Sequence, residues 1–187
     1  MSTIQRTMEA SAPRPAHPAR PAGSAGPTAG ELLDQRGFRD TMGRYPTGVA
    51  VIAAMTPTGR AGLAVNSFTS VSLDPPLVAF CPMLTSTSWA RLRPVGGFAV
   101  SLLREDHESI ARRFSQKGID RFAEHDWVES PAGHPVLADA LGCLDTTVES
   151  ISLAGDHEVV IARVDHWSQV DDGRPLVFFG GRYHRLP

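Results

Sequence analysis

The sequence predicts a mainly β fold, a closed barrel or a sandwich with a few short helices. Three observations indicate this class: many short segments have strand character, Gly- and Pro-containing turns separate them, and helical spacing is confined to a few segments. Short strands in close succession with few helices are typical of barrels and sandwiches. The 187 residues contain no internal repeat of fixed period.

The chain opens with a segment of unusual composition. Residues 1–30 are rich in Pro, Ala and Gly and nearly free of large apolar side chains, so they cannot bury enough surface to offset the entropy of ordering. We predict a disordered tail there and one folded domain over residues 31–187. The domain is expected to begin with an amphipathic helix from Glu31 to Met42, which the residues from Gly43 to Pro46 end.

Strands dominate the middle of the chain. Both faces of the segment TGVAVIAAMT are apolar, which predicts a well-buried strand, and the turn TPTGR leads into a return strand, AGLAVN. Two further strands are predicted in LVAFC and FAVSLL. Apolar residues then recur at three and four positions in REDHESIARRF, which predicts a helix, and a short helix is expected near VLADAL.

The last third of the chain is strand-rich. The segments CLDTTVESISL and EVVIARVDHW predict two strands, with GDH in a tight hairpin between them. Alternation places Val160, Ala162 and Val164 on one face of the second strand. The closing segment LVFFGGRYHRL predicts a final strand that Gly180 and Gly181 interrupt as a bulge or bend.

The composition excludes several classes of function. A formal net charge of −2 at pH 7 lacks the basic balance of a nucleic-acid-binding protein. No apolar run approaches the ~20 residues that cross a bilayer, and the N-terminus lacks the apolar region of a secretory signal. Cys81 and Cys143 stand far apart outside any CxxC motif, so both thiols are expected to be reduced. We therefore expect a cytoplasmic protein without nucleic-acid or membrane partners.

Several common catalytic motifs do not occur in the sequence. The seven histidines do not cluster as metal ligands and HExxH is missing, so no metal site is expected. There is no GxSxG nucleophile elbow. No GxGxxG opens a βαβ unit, which excludes a Rossmann site for a dinucleotide.

Residues 66–76, NSFTSVSLDPP, are the most informative stretch. One interpretation is an edge strand and a turn, because a run of small hydroxyl residues ends in a double proline. The other is a backbone that runs along a planar polar ring, since small side chains let main-chain N–H and C=O groups reach the ring. Asn66, Ser67 and Thr69 would add amide and hydroxyl partners. Composition alone leaves both interpretations open.

The order of six segments resembles the short-chain flavin reductases, the small components of two-component flavin-dependent monooxygenases. The segments are PTGVAVIAA, GLAVNSFTSVSLDPPLVAFC, FAVSLL, ARRFSQKGIDRF, GDH and FGGRYHRL. The resemblance extends from about residue 36 to the C-terminus, and SFTSVSLDPPL combined with GDH at this separation is specific. It implies an FMN-binding split β-barrel with Greek-key topology, usually a homodimer with the flavin close to the subunit interface.

The resemblance assigns flavin contacts to two segments. The first matches the PTGV segment that approaches the flavin and comprises Pro46, Thr47, Gly48 and Val49. The second matches the segment that runs along the ring and ribityl chain and comprises Ala64, Val65, Asn66, Ser67, Phe68 and Thr69. Many family members have Thr or Ser where this chain has Ala64, so one side-chain hydrogen bond to the flavin is expected to be missing.

The resemblance also implies a polar loop near the flavin phosphate. It comprises Cys81, Thr85, Ser86, Thr87 and Ser88. Hydroxyls and loop N–H groups suit a phosphate, and we favour Ser86, although the pattern does not single out one ligand. The other interpretation is a Ser/Thr cap for a helix that includes Trp89, and both can hold together.

A cation near the phosphate is implied by the A-x-x-F…F segment of the family. The matching residues are Ala111, Arg113, Phe114, Lys117 and Phe122. We favour Lys117 as the group that neutralises an FMN phosphate or FAD pyrophosphate, because it is the only lysine and stands beside Gly118. The alternative for Lys117 is a solvated surface charge.

His157 receives a catalytic role from the resemblance. In the family the His of GDH reaches the nicotinamide side of the flavin, where it hydrogen-bonds or packs against the carboxamide, whereas Asp156 shapes the turn. Hydride transfer itself takes no proton from the protein. Tyr183 and His184 match a closing aromatic-polar pair that borders the nicotinamide pocket. The alternatives are a surface histidine for His157 and barrel closure for the pair.

The implied function is that of an NAD(P)H:flavin oxidoreductase. Hydride would pass from NADH or NADPH to FMN or FAD, and the reduced flavin would go to a separate monooxygenase. Because a Rossmann unit is missing, the nicotinamide has to stack in the flavin cleft itself. Two alternatives stay open: an FMN-binding oxidase or electron-transfer protein of the same fold, and a flavin-free dimeric barrel that acts as a binding module. The sequence decides neither the flavin nor the nicotinamide cofactor.

Overall fold

The computed structural model describes residues 34–170 and 172–186. Within them the α-helices are α1 Gln35–Met42, α2 Thr87–Leu92 and α3 Glu108–Phe114, and a 3-10 helix covers Arg93–Val95. The strands are β1 Thr47–Gly48, β2 Ala50–Thr56, β3 Gly59–Val65, β4 Thr69–Leu73, β5 Pro76–Phe80, β6 Gly97–Leu102, β7 Trp127–Glu129, β8 Pro135–Leu137, β9 Gly142–Ala154, β10 His157–Gln169, β11 Val177–Phe179 and β12 Arg182–His184. The tail predicted over residues 1–30 lies outside the described residues.

Seven antiparallel strands form the main sheet in the order β3-β2-β6-β9-β10-β5-β4. The sheet is rolled, since the rings of Phe80 in β5 and Phe98 in β6 lie 5.2 Å apart although two strands separate β5 from β6. In a flat sheet three strand spacings amount to about 14 Å. β3 and β4 are the two edges, and residues 66–68 connect them. The predicted mainly β split barrel is confirmed.

Two apolar clusters hold the barrel together. One fills its interior, where Ile52, Phe80 and Phe98 are fully buried. The other lies on the outer face of β2, where Val51 packs with Ile110 of α3 and with residues of β8. β2 therefore buries both of its faces, as its apolar sequence predicts.

The helices follow the predicted positions but differ in burial. α2 packs Trp89 and Leu92 into the barrel interior, and α3 covers the outer face of β2. In α1, by contrast, no residue is buried, and Phe38 and Met42 are 63% and 51% exposed. No helix of the described residues combines the length and apolar character that crossing a membrane requires.

Two predictions of local structure are wrong. The segment VLADAL contains part of strand β8, because Pro135–Leu137 pairs with β7 and is buried throughout. The closing segment is a hairpin and not one strand with a bulge. Gly180 and Gly181 have φ angles of 58° and 74°, so they form a two-residue turn between β11 and β12.

Candidate active site

A cleft of about 1110 Å³ lies beside the split between β3 and β4. Its walls are residues 39–40 and 42–44 at the end of α1, residues 45–48, the connector 66–68 with Thr69, and Phe178 with the turn Gly180–Gly181. Pairing of β1 with β11, and a hydrogen bond of 2.8 Å from the Gly180 N–H to the Gly43 carbonyl, bring these distant segments together. The cleft thus contains seven of the predicted flavin contacts: Pro46, Thr47, Gly48, Asn66, Ser67, Phe68 and Thr69.

The connector between β3 and β4 offers main-chain groups to this cleft. The N–H and C=O groups of Ser67 and Phe68 make no backbone hydrogen bond to any described residue. The Ser67 hydroxyl instead accepts the Cys81 N–H at 2.9 Å, which holds the connector against the end of β5. Asn66 is exposed on the cleft. Free donors and acceptors along an open wall suit the polar edge of a planar ring.

Thr47 carries an unsatisfied polar atom on the cleft wall. Its Oγ1 is buried and has no hydrogen-bond partner among the residues that the structure describes. Buried hydroxyls in proteins are almost always paired, so an orphan atom on a cleft indicates a place where a ligand completes the bonding. The residues present therefore fit a flavin ring as a bound group.

A smaller recess of about 170 Å³ adjoins the same segment. Val49, Ala64, Val65, Asn66 and Tyr183 are among the residues that line it. The Arg112 guanidinium lies 5.3 Å from the centre of the Tyr183 ring. Burial raises the pKa of the Tyr183 phenol, which therefore stays neutral near pH 7.

His157 lies at the start of β10, directly after the two-residue turn Gly155–Asp156. The predicted GDH hairpin is confirmed. His157 Nδ1 is 2.7 Å from the Asp156 carboxylate, and this hydrogen bond holds the pKa of Asp156 below its usual value. His157 pairs with Met83, and the Leu84 N–H donates to the Asp156 carbonyl at 3.0 Å. The hairpin is therefore fixed against the loop that follows Cys81.

That loop leads into α2 through a helix cap. The Ser86 hydroxyl accepts the Trp89 N–H at 3.2 Å, so the interpretation of the Ser/Thr run as a cap is confirmed. Thr85 is exposed. The loop thus links three predicted site residues: Cys81, Ser86 and His157. Cys81 donates to the connector, Ser86 caps α2, and Met83 of the loop pairs with His157.

Seven predicted contacts line neither the cleft nor the recess. Four belong to the loop and hairpin described above: Cys81, Thr85, Ser86 and His157. The other three lie elsewhere. Phe114 is buried in the outer cluster against Phe122. Ser88 is buried, and its hydroxyl accepts a hydrogen bond from Arg121. Lys117 is exposed on the segment after α3 and lines none of the cavities described above. Their role as flavin contacts stays a prediction.

The cleft also includes residues that were not predicted to belong to the site. Arg39 and Arg44 come from the end of α1, and Phe178 and Gly180 come from the closing hairpin. Only the backbone contact between Gly43 and Gly180 and the pairing of β1 with β11 reveal that these segments meet. The helical spacing of α1 and the double glycine were the available signals, but neither indicates the other as its neighbour.

A rolled, split antiparallel sheet with a polar backbone segment at the split defines the flavin-binding split barrels. Comparison with known proteins agrees with this class. Residues 42–187 match the family model described as "Flavin reductase like domain". The chain therefore belongs to the flavin reductase family, as the six segments predict, and it is an oxidoreductase of that class.

Individual relatives cover most of the chain. It is 42% identical over 158 residues to the flavin-dependent monooxygenase reductase subunit HsaB of Rhodococcus jostii (strain RHA1), which covers 84% of this chain and 81% of the relative. Among solved structures, nitrilotriacetate monooxygenase component B from Mycobacterium thermoresistibile has a TM-score of 0.80 at 38% identity, covering 84% and 89% of the two chains. The NADH:FAD oxidoreductase SgcE6 of Streptomyces globisporus C-1027 has a TM-score of 0.78 at 34% identity, covering 82% and 93%.

Proposed function

We propose that this chain reduces FMN or FAD with NADH or NADPH and supplies the reduced flavin to a separate monooxygenase. The observation that carries the proposal is the cleft at the split of the barrel. There, the unpaired Thr47 hydroxyl and the free main-chain groups of Ser67 and Phe68 face one space. A flavin bound there supplies the hydride-accepting ring.

The chain's own residues contribute binding and orientation. Thr47, Asn66 and the connector backbone hold the polar edge of the ring, and the Ser67–Cys81 hydrogen bond keeps the connector in place. Loop 81–86, with Ser86, binds the flavin phosphate, while His157 contacts the nicotinamide carboxamide. These roles are assigned from the resemblance of the P-T-G-V, N-S-F-T and GDH segments and of the loop after Cys81 to the family. Hydride transfer itself needs no acid or base from the protein, because a hydride carries its own electron pair.

The proposed quaternary structure is a homodimer. Phe38, Met42 and Tyr45 at the end of α1 are exposed, and so are Val71 and Leu73 on edge strand β4. Exposed apolar side chains favour association. Met42 and Tyr45 line the cleft, so a second copy that covers them would also enclose it. We propose a cytoplasmic location. Size-exclusion chromatography with light scattering tests the dimer, which a monomer at micromolar concentration contradicts.

One assay separates this function from its alternatives. NADH or NADPH is added to the purified protein with FMN or FAD under air, and loss of absorbance at the nicotinamide band is followed. The proposal expects rapid loss that requires both protein and flavin. A protein that binds flavin but does not oxidise either nicotinamide supports the electron-transfer alternative. A protein that binds no flavin supports the binding module.

The role of His157 is tested by the His157→Ala variant. We expect the apparent KM for NADH to rise more than the apparent KM for flavin, because His157 is proposed to contact the nicotinamide. A matched control is His166→Ala, which changes an exposed histidine on the same strand, β10, that lines neither the cleft nor the recess. If only flavin affinity falls in His157→Ala, the assignment is wrong.

A further inference from the structure

Arg39 and Arg44 differ from most arginines of the described chain. Both line the cleft, and neither guanidinium has a hydrogen bond or ion pair with a described residue. Elsewhere, arginines are engaged within the fold, as where Arg112 pairs with Glu108 and Arg163 with Asp165. An Arg pair without internal partners on a cleft is available to a ligand.

The charges on the cleft favour an anion. The cleft lining includes these two arginines and one carboxylate, that of Asp40, and its other polar side chains are neutral hydroxyl and amide groups. The cleft therefore carries an excess of one positive charge. Lys117, the cation favoured from the sequence, does not reach this cleft wall. Guanidinium groups bind phosphate oxygens through paired N–H donors, which suits them to a nucleotide phosphate.

Arg44 is held close to the proposed ring site. The main-chain N–H of Arg44 donates to the Thr41 carbonyl at 3.0 Å, and the neighbouring Gly43 carbonyl accepts the Gly180 N–H at 2.8 Å. These bonds fix the chain at the end of α1, two residues before Pro46. A phosphate held here would belong to a ligand whose ring reaches Thr47 and the connector.

We propose that Arg39 and Arg44 form an anion subsite of the cleft that binds a phosphate group of the flavin or of the nicotinamide nucleotide. This proposal rests on the proposed function. Both sources present the same chemistry, a dianionic or bridging phosphate, and pairs of ligands that differ only in a phosphate distinguish them.

The test uses the full chain with Arg39→Gln, Arg44→Gln and, as a matched control, Arg36→Gln. Arg36 is exposed on the same helix but does not line the cleft. Equilibrium affinities are measured by fluorescence for riboflavin and FMN, and separately for NADH and NADPH. We expect Arg39→Gln and Arg44→Gln to weaken at least one phosphate-bearing ligand by roughly 5- to 50-fold.

The ligand pairs identify the source of the phosphate. A loss for FMN without a loss for riboflavin assigns the subsite to the flavin phosphate, which the two arginines would then share with loop 81–86. A loss for NADPH greater than for NADH assigns it to the 2′-phosphate, and an equal loss for both with unchanged flavin affinity assigns it to their diphosphate. The subsite is overturned if the variants lose the same affinity for riboflavin as for FMN, since riboflavin has no phosphate. It is also overturned if no affinity falls by more than it does in Arg36→Gln. If the wild-type chain binds neither flavin nor nicotinamide, the proposed function itself fails.

Discussion

Trp89 donates its indole N–H to the Glu158 carboxylate at 2.6 Å in the buried interior. Arg93 Nε lies 3.2 Å from the same oxygen, and the Glu158 N–H donates to the Pro82 carbonyl at 3.0 Å. Glu158 therefore joins α2 and the loop before it to the start of β10, directly beside His157. Glu158 thus fixes the loop proposed for phosphate and the hairpin proposed for nicotinamide as one unit, through its main-chain N–H to Pro82 and its carboxylate to α2.

Glu158→Ala should destabilise the fold measurably. The change leaves the buried Trp89 N–H without a partner, which costs about 1.5–3 kcal/mol for a bond to a charged group. Glu158→Gln keeps an acceptor and should cost less. Urea unfolding followed by tryptophan fluorescence measures both. Glu149→Gln, on an exposed pair with Arg163, is the control, and an equal effect in Glu149→Gln and Glu158→Ala would contradict this role.

Thr47→Val should act in opposite directions on stability and on flavin affinity. Valine has nearly the same shape but no hydroxyl, so the unpaired buried Oγ1 disappears and the flavin-free protein should unfold at the same or a higher temperature. Flavin affinity should fall about tenfold for one lost hydrogen bond. Thermal unfolding and flavin titration check the two effects. A lower unfolding temperature with unchanged flavin affinity would show that the hydroxyl serves the fold.

Arg121→Gln should expose the segment after α3 to proteolysis. The Arg121 side chain donates to the Gln116 carbonyl at 2.7 Å and to the Gly62 carbonyl at 3.1 Å, and it also bonds Ser88. Lys117 is the only lysine in the chain, so a lysine-specific protease reports on this segment alone. We expect cleavage to accelerate by roughly tenfold. The control is Arg112→Gln, and equal rates in the two variants would refute the anchoring role.

Tyr183 should ionise only at strongly alkaline pH in the folded protein. Burial raises its pKa, so the unfolded chain, with a phenol pKa of about 10, loses the proton first. The stability from neutral Tyr183 is complete below pH ~10 and is lost as pH rises through the folded pKa. Tyr45→Phe leaves Tyr183 as the only tyrosine, and its phenolate absorbance should appear at higher pH in buffer than in urea. Coincident titration curves would exclude this shift.

Local patterns predicted the barrel strands because burial leaves a direct trace in the sequence. β2 reads as apolar on both faces since Ile52 faces the interior and Val51 faces α3. The GDH hairpin was equally readable, because alternation stops at Gly155 and resumes after it. The prediction of a helix in VLADAL was wrong because its apolar spacing fits a helix and a strand equally well. Pairing with β7 makes its first two residues part of a strand.

The cleft could be predicted only in part. The segment 66–69 stood out by composition and the segment 46–48 by its resemblance to the family, and both line the cleft. Gly180 could not be found in this way, because the pairing of Thr47 with Phe178 brings it there from a distant part of the chain. Arg39 and Arg44 are close to Thr47 in sequence, but helical spacing does not show which of their neighbours line a cleft. Lys117 was favoured as a lone cation, but no local pattern indicates on which side of the barrel its segment lies.

Hydride transfer in the cleft is tested by anaerobic mixing of the protein with FMN and NADH deuterated at one face of C4. We expect catalytic amounts of protein to accelerate bleaching of the flavin, and deuterium to leave from one face of the nicotinamide only, because one cleft orients both rings. The Thr47→Val variant should show slower bleaching at low flavin concentration. Bleaching no faster than in a protein-free mixture, or loss of deuterium without preference for either face, would contradict the account.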